Sequence, residues 1–436
     1  MSGSIGDNVF RASGVIAAAA AGRTGTVDWD TTPKVTGDSP VTGATATGYF
    51  LNTTAGAITI NLPAGVAGSI VAMADYAETW QTNSVTVTPN GSEKMGGTAS
   101  SATLSTKGQS VTFIYVDSTQ GWINTMDSTS NIRGAQMITA CGGAATLTCG
   151  NFKTHVFTGS GPLCVSALAT CSANDVVQYM VVAGGGGAGR SGGGGGAGGW
   201  RGYNACSPAS PINGPATLPV SVQDYTITVG AGGAGGDTDG ATEPDTRGAV
   251  STFSTITSTG GGGGGNYNAP SGALPGGSGG GGGAGGGAGG TGNTPCVSPA
   301  QGTNGGPSQP SLGTRSMGGG GGATVAGTAG SYPNTGGCGG DGTFVPDGWF
   351  GPTAPSYGTP GPASCTRWFA GGGGGAAQSA TTVPGGAGGG GVGSGAGGDG
   401  CRVAAIANTG GGDAGCNNCN GLGGATGVVL IRYRYQ

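Results

Sequence analysis

The sequence predicts a mainly β protein: an N-terminal β-sandwich or jelly-roll-like module, a small β base, and a glycine-rich bundle of polyglycine II-type rods with end loops. Three observations predict it. Residues 31–130 carry short runs in which apolar and polar residues alternate, separated by Gly, Pro and Asn turns. Residues 131–183 carry further runs of the same kind. Beyond Ala183 lie 85 of the chain's 107 glycines, counted over the last 253 residues, in blocks such as Gly184–Gly187, Gly192–Gly196, Gly260–Gly265, Gly279–Gly283, Gly318–Gly322 and Gly371–Gly375.

Residues 1–30 are rich in small residues and show no period. Ile5, Val9 and Phe10 suit a docking arm; a loosely packed terminus is the alternative. In 31–130, Ile58, Ile60 and Leu62 alternate with Thr59 and Asn61, and Val85 and Val87 with Thr86 and Thr88 ahead of a Pro89-Asn90-Gly91 turn. Val111, Phe113 and Tyr115 continue the pattern, which is that of a sandwich or jelly roll. Trp80 and Trp122 are expected in its core or in subunit packing. In 131–183 the best strands are His155–Phe157 and Tyr179–Ala183, the latter running straight into glycine. Later strands at 225–229, 253–257 and 428–435 are expected to join these in a base sheet, with the last strand closing the glycine-rich domain, 184–436.

The glycine blocks admit few ordered structures. Glycine loses more freedom on ordering than any other residue, and each fixed backbone costs about 1–2 kcal/mol. The blocks break the strict third-position period of collagen. Helix is opposed by about 0.8–1.0 kcal/mol per glycine, and a glycine sheet has weak register. The extended left-handed threefold helix remains. It has no internal hydrogen bonds, so it gains only when rods pack side by side and bond to each other. Low-complexity disorder is the competing reading.

Composition excludes several classes. Charged residues are 8% and the net charge is −4. Four lysines (Lys34, Lys94, Lys107, Lys153) form no basic stripe, so nucleic acid is not an expected partner. No apolar run reaches the roughly 20 residues of a membrane-spanning helix. Residues 15–21 lack the basic flank of a signal peptide, so the mature chain is expected to start at Met1 or Ser2. The eleven cysteines sit largely between glycine runs, which suits loop-pinning disulfides formed after release from the cell. Cys141 and Cys149 flank a short loop and are expected to be linked; Cys164 and Cys171 repeat the spacing. Cys416-Asn-Asn-Cys419 reads as a disulfide or tight loop rather than zinc, which wants a second pair or histidines.

No catalytic set is visible. The single histidine, His155, lies in an expected strand and reads as a packed or surface residue. The acids are scattered, and Asp237, Asp239 and Asp245 suit a solvated loop better than a calcium site. The Gly-x-Gly-x-x-Gly matches open no helix, so no dinucleotide is expected. No metal or cofactor is expected, and the protein is not expected to be an enzyme. Stretches between glycine runs carry the aromatics Trp200, Tyr203, Tyr267, Tyr332, Trp349, Phe350, Tyr357, Trp368 and Phe369. At rod ends these form either a recognition tip, since aromatics give stiff contact area, or a seal over the bundle.

His155-Val-Phe-Thr-Gly-Ser-Gly, Tyr179-Met-Val-Val-Ala followed by Gly184–Gly187, Tyr225-Thr-Ile-Thr-Val-Gly-Ala-Gly-Gly, and Gly427-Val-Val-Leu-Ile-Arg-Tyr together resemble the glycine-rich domain of bacteriophage tail-fibre and adhesin proteins, over roughly residues 150–436. The opening Met1-Ser-Gly-Ser-Ile-Gly-Asp-Asn is similar to virion structural proteins of marine phages. The resemblance implies packed polyglycine rods, end loops that read a host-surface glycan or outer-membrane protein, a homotrimer, and a location on the virion tail or capsid. The cysteine load and the long β-rich N-terminal part depart from it. The expected function is a non-enzymatic virion fibre or receptor-binding protein. The alternative is structural, a capsid-decorating or filament-forming protein. Ice binding would need a strict repeat that is missing.

Overall fold

The structure, a computed structural model, describes residues 27–128, 137–237, 246–267, 272–310, 316–331, 333, 335–378, 382–395 and 402–436. The chain divides into two compact units, Met1–Gly134 and Ala135–Gln436. The expected docking arm, with Ile5, Val9 and Phe10, lies outside the described residues.

The N-terminal unit has two sheets around one core. The first holds, in spatial order, strands 28–35, 47–52, 70–75, 110–117 and 121–128; the second holds 41–42, 58–61, 85–88 and 102–104. Leu51, Ile58, Ile60, Val71, Met73, Val85, Val87 and Phe113 meet in the core, so the alternating residues face inward as their period of two requires. The jelly-roll expectation needs correcting. Up to residue 88 the chain changes sheet at every strand, so next-but-one strands pair in parallel: 28–35 with 47–52 with 70–75, and 41–42 with 58–61 with 85–88. A jelly roll is antiparallel throughout. Alternation fixes which face a residue takes but carries nothing about the direction of the neighbouring strand.

Trp80 and Trp122 are both core residues, with indole N–H groups donating to the Leu51 carbonyl (3.3 Å) and Glu93 Oε2 (3.0 Å). Asp75 is buried at a corner, where its carboxylate accepts from the backbone N–H groups of Thr79, Trp80 and Gly108 at 3.0–3.3 Å.

In the C-terminal unit, strands 145–149, 152–157, 428–434, 176–182 and 200–203 form one antiparallel sheet, with 218–219 added at the start of 176–182. The last strand therefore sits in the middle. Val429, Ile431 and Tyr433 pack on one side with Phe157, Tyr179 and Val181, against Leu163, Tyr225, Ile227 and Phe253 of a second sheet made by 139–142, 161–167, 223–228, 251–253 and 256–258. Val428 and Leu430 pack on the other side with Met180, Val182, Trp200, Trp349, Phe350 and Phe369. Burial on both faces explains the unbroken apolar run Val428-Val-Leu-Ile.

The glycine runs are neither helix nor strand, yet they are buried and most of their amides donate to neighbouring rods. In 184–189 successive N–H groups point to three different neighbours and return every third residue. Gly184 and Gly187 donate to Ala249 and Thr246, Gly185 and Ala188 to Ala425 and Leu422, Gly186 and Gly189 to Gly196 and Gly193. The carbonyls of the same rod accept from three others: Gly184 and Gly187 from Gly261 and Gly264, Gly185 and Ala188 from Gly233 and Gly236, Gly186 from Asp413. All these bonds measure 2.8–3.1 Å. Three donor directions and three acceptor directions give six neighbours around one rod.

The rod at 193–199 repeats the rule. Gly193, Gly196 and Gly199 donate to Gly265, Gly262 and Thr259; Gly194 and Ala197 to Gly318 and Gly321; Gly195 and Gly198 to Asp413 and Gly410. No glycine of the six blocks has a positive φ, as a left-handed threefold helix near φ −75° requires. A Cβ built on Gly186 would run into the carbonyl oxygen of Gly262, and one on Gly185 into that of Gly411. Close approach on every side accounts for the glycine here.

Candidate recognition surface

The rods have two different ends. At the base they continue the sheets: Val182 leads into Gly184, Gly199 into Trp200, Phe369 into Gly371 and Gly427 into Val428. At the far end they turn back on each other, as where the Gly287 N–H donates to the Gly283 carbonyl and the Met317 N–H to the Ala376 carbonyl. There the tips are tied together by side chains. Asn266 accepts from the Arg190 N–H (2.8 Å), the Arg190 guanidinium donates to the Asp237 carbonyl (3.3 Å), and Ser191 Oγ accepts from the Asn418 N–H (3.1 Å).

The expected display of aromatics does not hold at the base. Trp200, Trp349, Phe350 and Phe369 are about 1% exposed and Trp368 is 8% exposed. Strands 343–346 and 366–369 form a hairpin whose intervening short helices, 347–349 and 351–356, fold it over the sheet. Phe350 stacks on half-buried Tyr357 at 5.2 Å, and Trp368 meets Phe344 at 5.1 Å. Trp349 Nε1 donates to Asn204 Oδ1 (3.2 Å), and the Arg432 guanidinium lies 3.7 Å over Phe152 and 5.8 Å from Trp349. Tyr203 is half-buried against the inter-sheet core. The reason is simple: glycine offers no side chains to bury, so the apolar payload of the connectors is drawn into the sheet's outer face. Tyr267 alone of the described set belongs to the far end, half-buried on Ala284, Met317 and Ala376. Tyr332 lies outside the described residues, as do Asp239, Asp245 and Cys401.

Residues that are displayed were not legible as such. Trp29 (41% exposed) leans on Phe50 at 4.8 Å and lines, with Met126 and Asp127, an N-terminal cleft of about 550 Å³. Gly48 makes room for its indole: a Cβ there would strike the ring. In the C-terminal unit Val325, Val403 and Ile406 stand out on connectors.

The cysteines also sort differently. Cys416 and Cys419 are disulfide-bonded at the far end. The expected Cys141–Cys149 link is not formed in this structure, where both thiols are free and 139–142 and 145–149 belong to different sheets. Cys141 stands opposite Cys164, Cys149 stands opposite Phe152, and Cys171 is exposed ahead of the short helix 172–174.

His155 is buried. Its Nδ1–H donates to the Gly142 carbonyl (2.7 Å), Nε2 meets the Tyr433 hydroxyl at 3.1 Å, and burial pushes its pKa down. The same burial raises Tyr433 to about 12. Asp413, inside the lattice, accepts from the Ala405 N–H at 2.9 Å, and burial raises its carboxyl to about 6. Among the described residues no group of three or more His, Cys, Asp or Glu is arranged to hold a metal ion.

No curated protein matches the chain at a significant level. A family model for the glycine-rich domain matches residues 164–434, from within strand 161–167 to the end of the central strand 428–434. The matched span takes in the strands that bracket the lattice and all of its described rods, and on that ground the chain belongs to the glycine-rich domain family.

Proposed function

We propose that the protein is a non-enzymatic virion fibre or receptor-binding protein of a bacteriophage, attached to the particle through its N-terminal part and meeting the host surface with the far end of the glycine lattice. The observation that carries this reading is the asymmetry of the rods. One end is fused to sheets and sealed by Trp200, Trp349, Phe350 and Phe369, while the other ends in cross-tied connectors with no sheet over them among the described residues. A lattice bonded in six directions is a stiff platform, and stiffness lowers the entropy cost of presenting connectors to a partner. The exposed Trp29 and Met126 give the N-terminal unit an apolar contact surface suited to docking on a particle.

The receptor class is a surface glycan or outer-membrane protein, read by short polar connectors rather than by the base aromatics. The homotrimer remains part of the proposal, on resemblance. The test is adsorption. Purified full-length chain, preincubated with host cells, is expected to block attachment of the parent phage. No competition at saturating dose contradicts recognition and leaves the capsid-decorating or filament role, which the sealed base also suits.

A further inference from the structure

We propose that Cys141 and Cys164 are the two halves of a cross-strand disulfide, closed by exchange with a small-molecule disulfide. Strand 139–142 is the edge of the C-terminal unit's second sheet and pairs antiparallel with 161–167, placing Cys141 directly opposite Cys164. Residues opposed in this way have Cα atoms about 4.5–5.5 Å apart, inside the window of about 4.4–6.8 Å that a disulfide spans. The Cys141 side chain lies near enough to Cys164 to help hold its thiol pKa up. Neither Cys149 nor Cys171 stands in register with either of them.

Access and chemistry fit together. Cys141 is exposed, Cys164 is half-exposed, and both line a cleft of about 610 Å³ walled by Phe157 and Pro162. That space admits a molecule such as oxidised glutathione. The Cys141 thiolate attacks one sulfur of the small disulfide, forming a mixed disulfide and releasing one thiol. The Cys164 sulfur then loses its proton to solvent and attacks Cys141 Sγ, releasing the second thiol. The protein gives up two electrons and two protons, and the small disulfide becomes two thiols.

A third residue sets the pace. Asp224 stands opposite Cys164 on its other side, so Cys141, Cys164 and Asp224 form one row across the sheet. The Asp224 carboxylate accepts from the Cys164 thiol and holds its pKa up to about 11. Thiolate fraction governs exchange rates, so Asp224 slows the closing step. Once closed, the bridge pins an edge strand, the part of a sheet most open to fraying or to pairing with another chain.

The test uses the full chain, reduced and then exposed to oxidised glutathione, alkylated and digested with trypsin, which cuts at Lys153 between the two cysteines. The expected product is a cross-link that survives alkylation, is cleaved by reductant, and joins the two tryptic peptides through Cys141 and Cys164. Cys141→Ser and Cys164→Ser should each stop at a stable glutathione adduct on the remaining thiol. Asp224→Asn should close the bridge several-fold faster at neutral pH. Double glutathione adducts that persist on the unsubstituted chain, alkylation of both thiols, or a Cys141–Cys149 link would overturn the pairing. An unchanged or slower closure in Asp224→Asn would overturn the role of Asp224.

Discussion

In the N-terminal unit the buried groups are side chains: Leu51, Ile60, Val87 and Trp80 fill the space between two sheets. In the rods at 184–199 the buried groups are amides, with nothing bulkier than the methyls of Ala188 and Ala197 beside the glycines, save the turn at Arg190 and Ser191. The first arrangement gains about 25 cal/mol for each Å² of apolar surface removed from water. The second gains about 0.5–1.5 kcal/mol per hydrogen bond, against about 1–2 kcal/mol to fix each backbone. The two terms nearly cancel, so the rods need the sheets. Met180, Val181, Val429 and Leu430, packed on both faces of the shared sheet, supply the margin. A side-chain core tolerates a lost methylene. A backbone lattice tolerates no gained one.

The largest effect expected from that contrast is at Gly186. Gly186→Ala drives a methyl into the Gly262 carbonyl, where no flexible side chain can yield. A loss above about 3 kcal/mol, or failure of the C-terminal unit to fold, is expected, while the N-terminal unit keeps its own melting transition in calorimetry. A Tm unchanged by more than a degree would break the comparison. In the N-terminal unit, Ile60→Ala should cost about 2–5 kcal/mol by the cavity it leaves, read as a shift of that unit's denaturation midpoint alone.

A pH effect sharpens the picture. The buried Asp413 carboxyl titrates near 6 when folded against an ordinary 3.8. It therefore binds its proton more tightly in the fold. The stability it contributes is fully present below about 3.8 and is lost as pH rises through about 6, a drop of roughly 3 kcal/mol. Asp413→Asn should remove that drop, which melting curves at pH 4.5 and 7.5 would reveal; equal pH dependence in the two proteins would contradict it. The smallest effect is at exposed Val325, where Val325→Thr should stay within about 0.5 kcal/mol.

Much of this was legible in the sequence. The mainly β class, the inward faces at Ile58, Ile60, Val85 and Val87, and the bundled rods follow from period and from the cost of ordering glycine. The parallel pairing of the N-terminal strands was not legible, because period two carries no strand direction. Nor was the partner of Cys141. Spacing along the chain suggested Cys149, but register across the sheet sets Cys164 opposite Cys141. The fate of Trp349 and Phe350 was hidden for a related reason. Their burial depends on the outer face of a sheet whose central strand comes from the last residues of the chain.

Amide hydrogen exchange of the full chain, followed by residue, tests the rods most directly. Every amide from Gly184 to Gly189 and from Gly193 to Gly199 donates inside the lattice, so protection should run unbroken through both segments, although neither is helix nor strand. Exchange within seconds, or protection alternating from one residue to the next as at the edge of a pleated sheet, would contradict the threefold lattice.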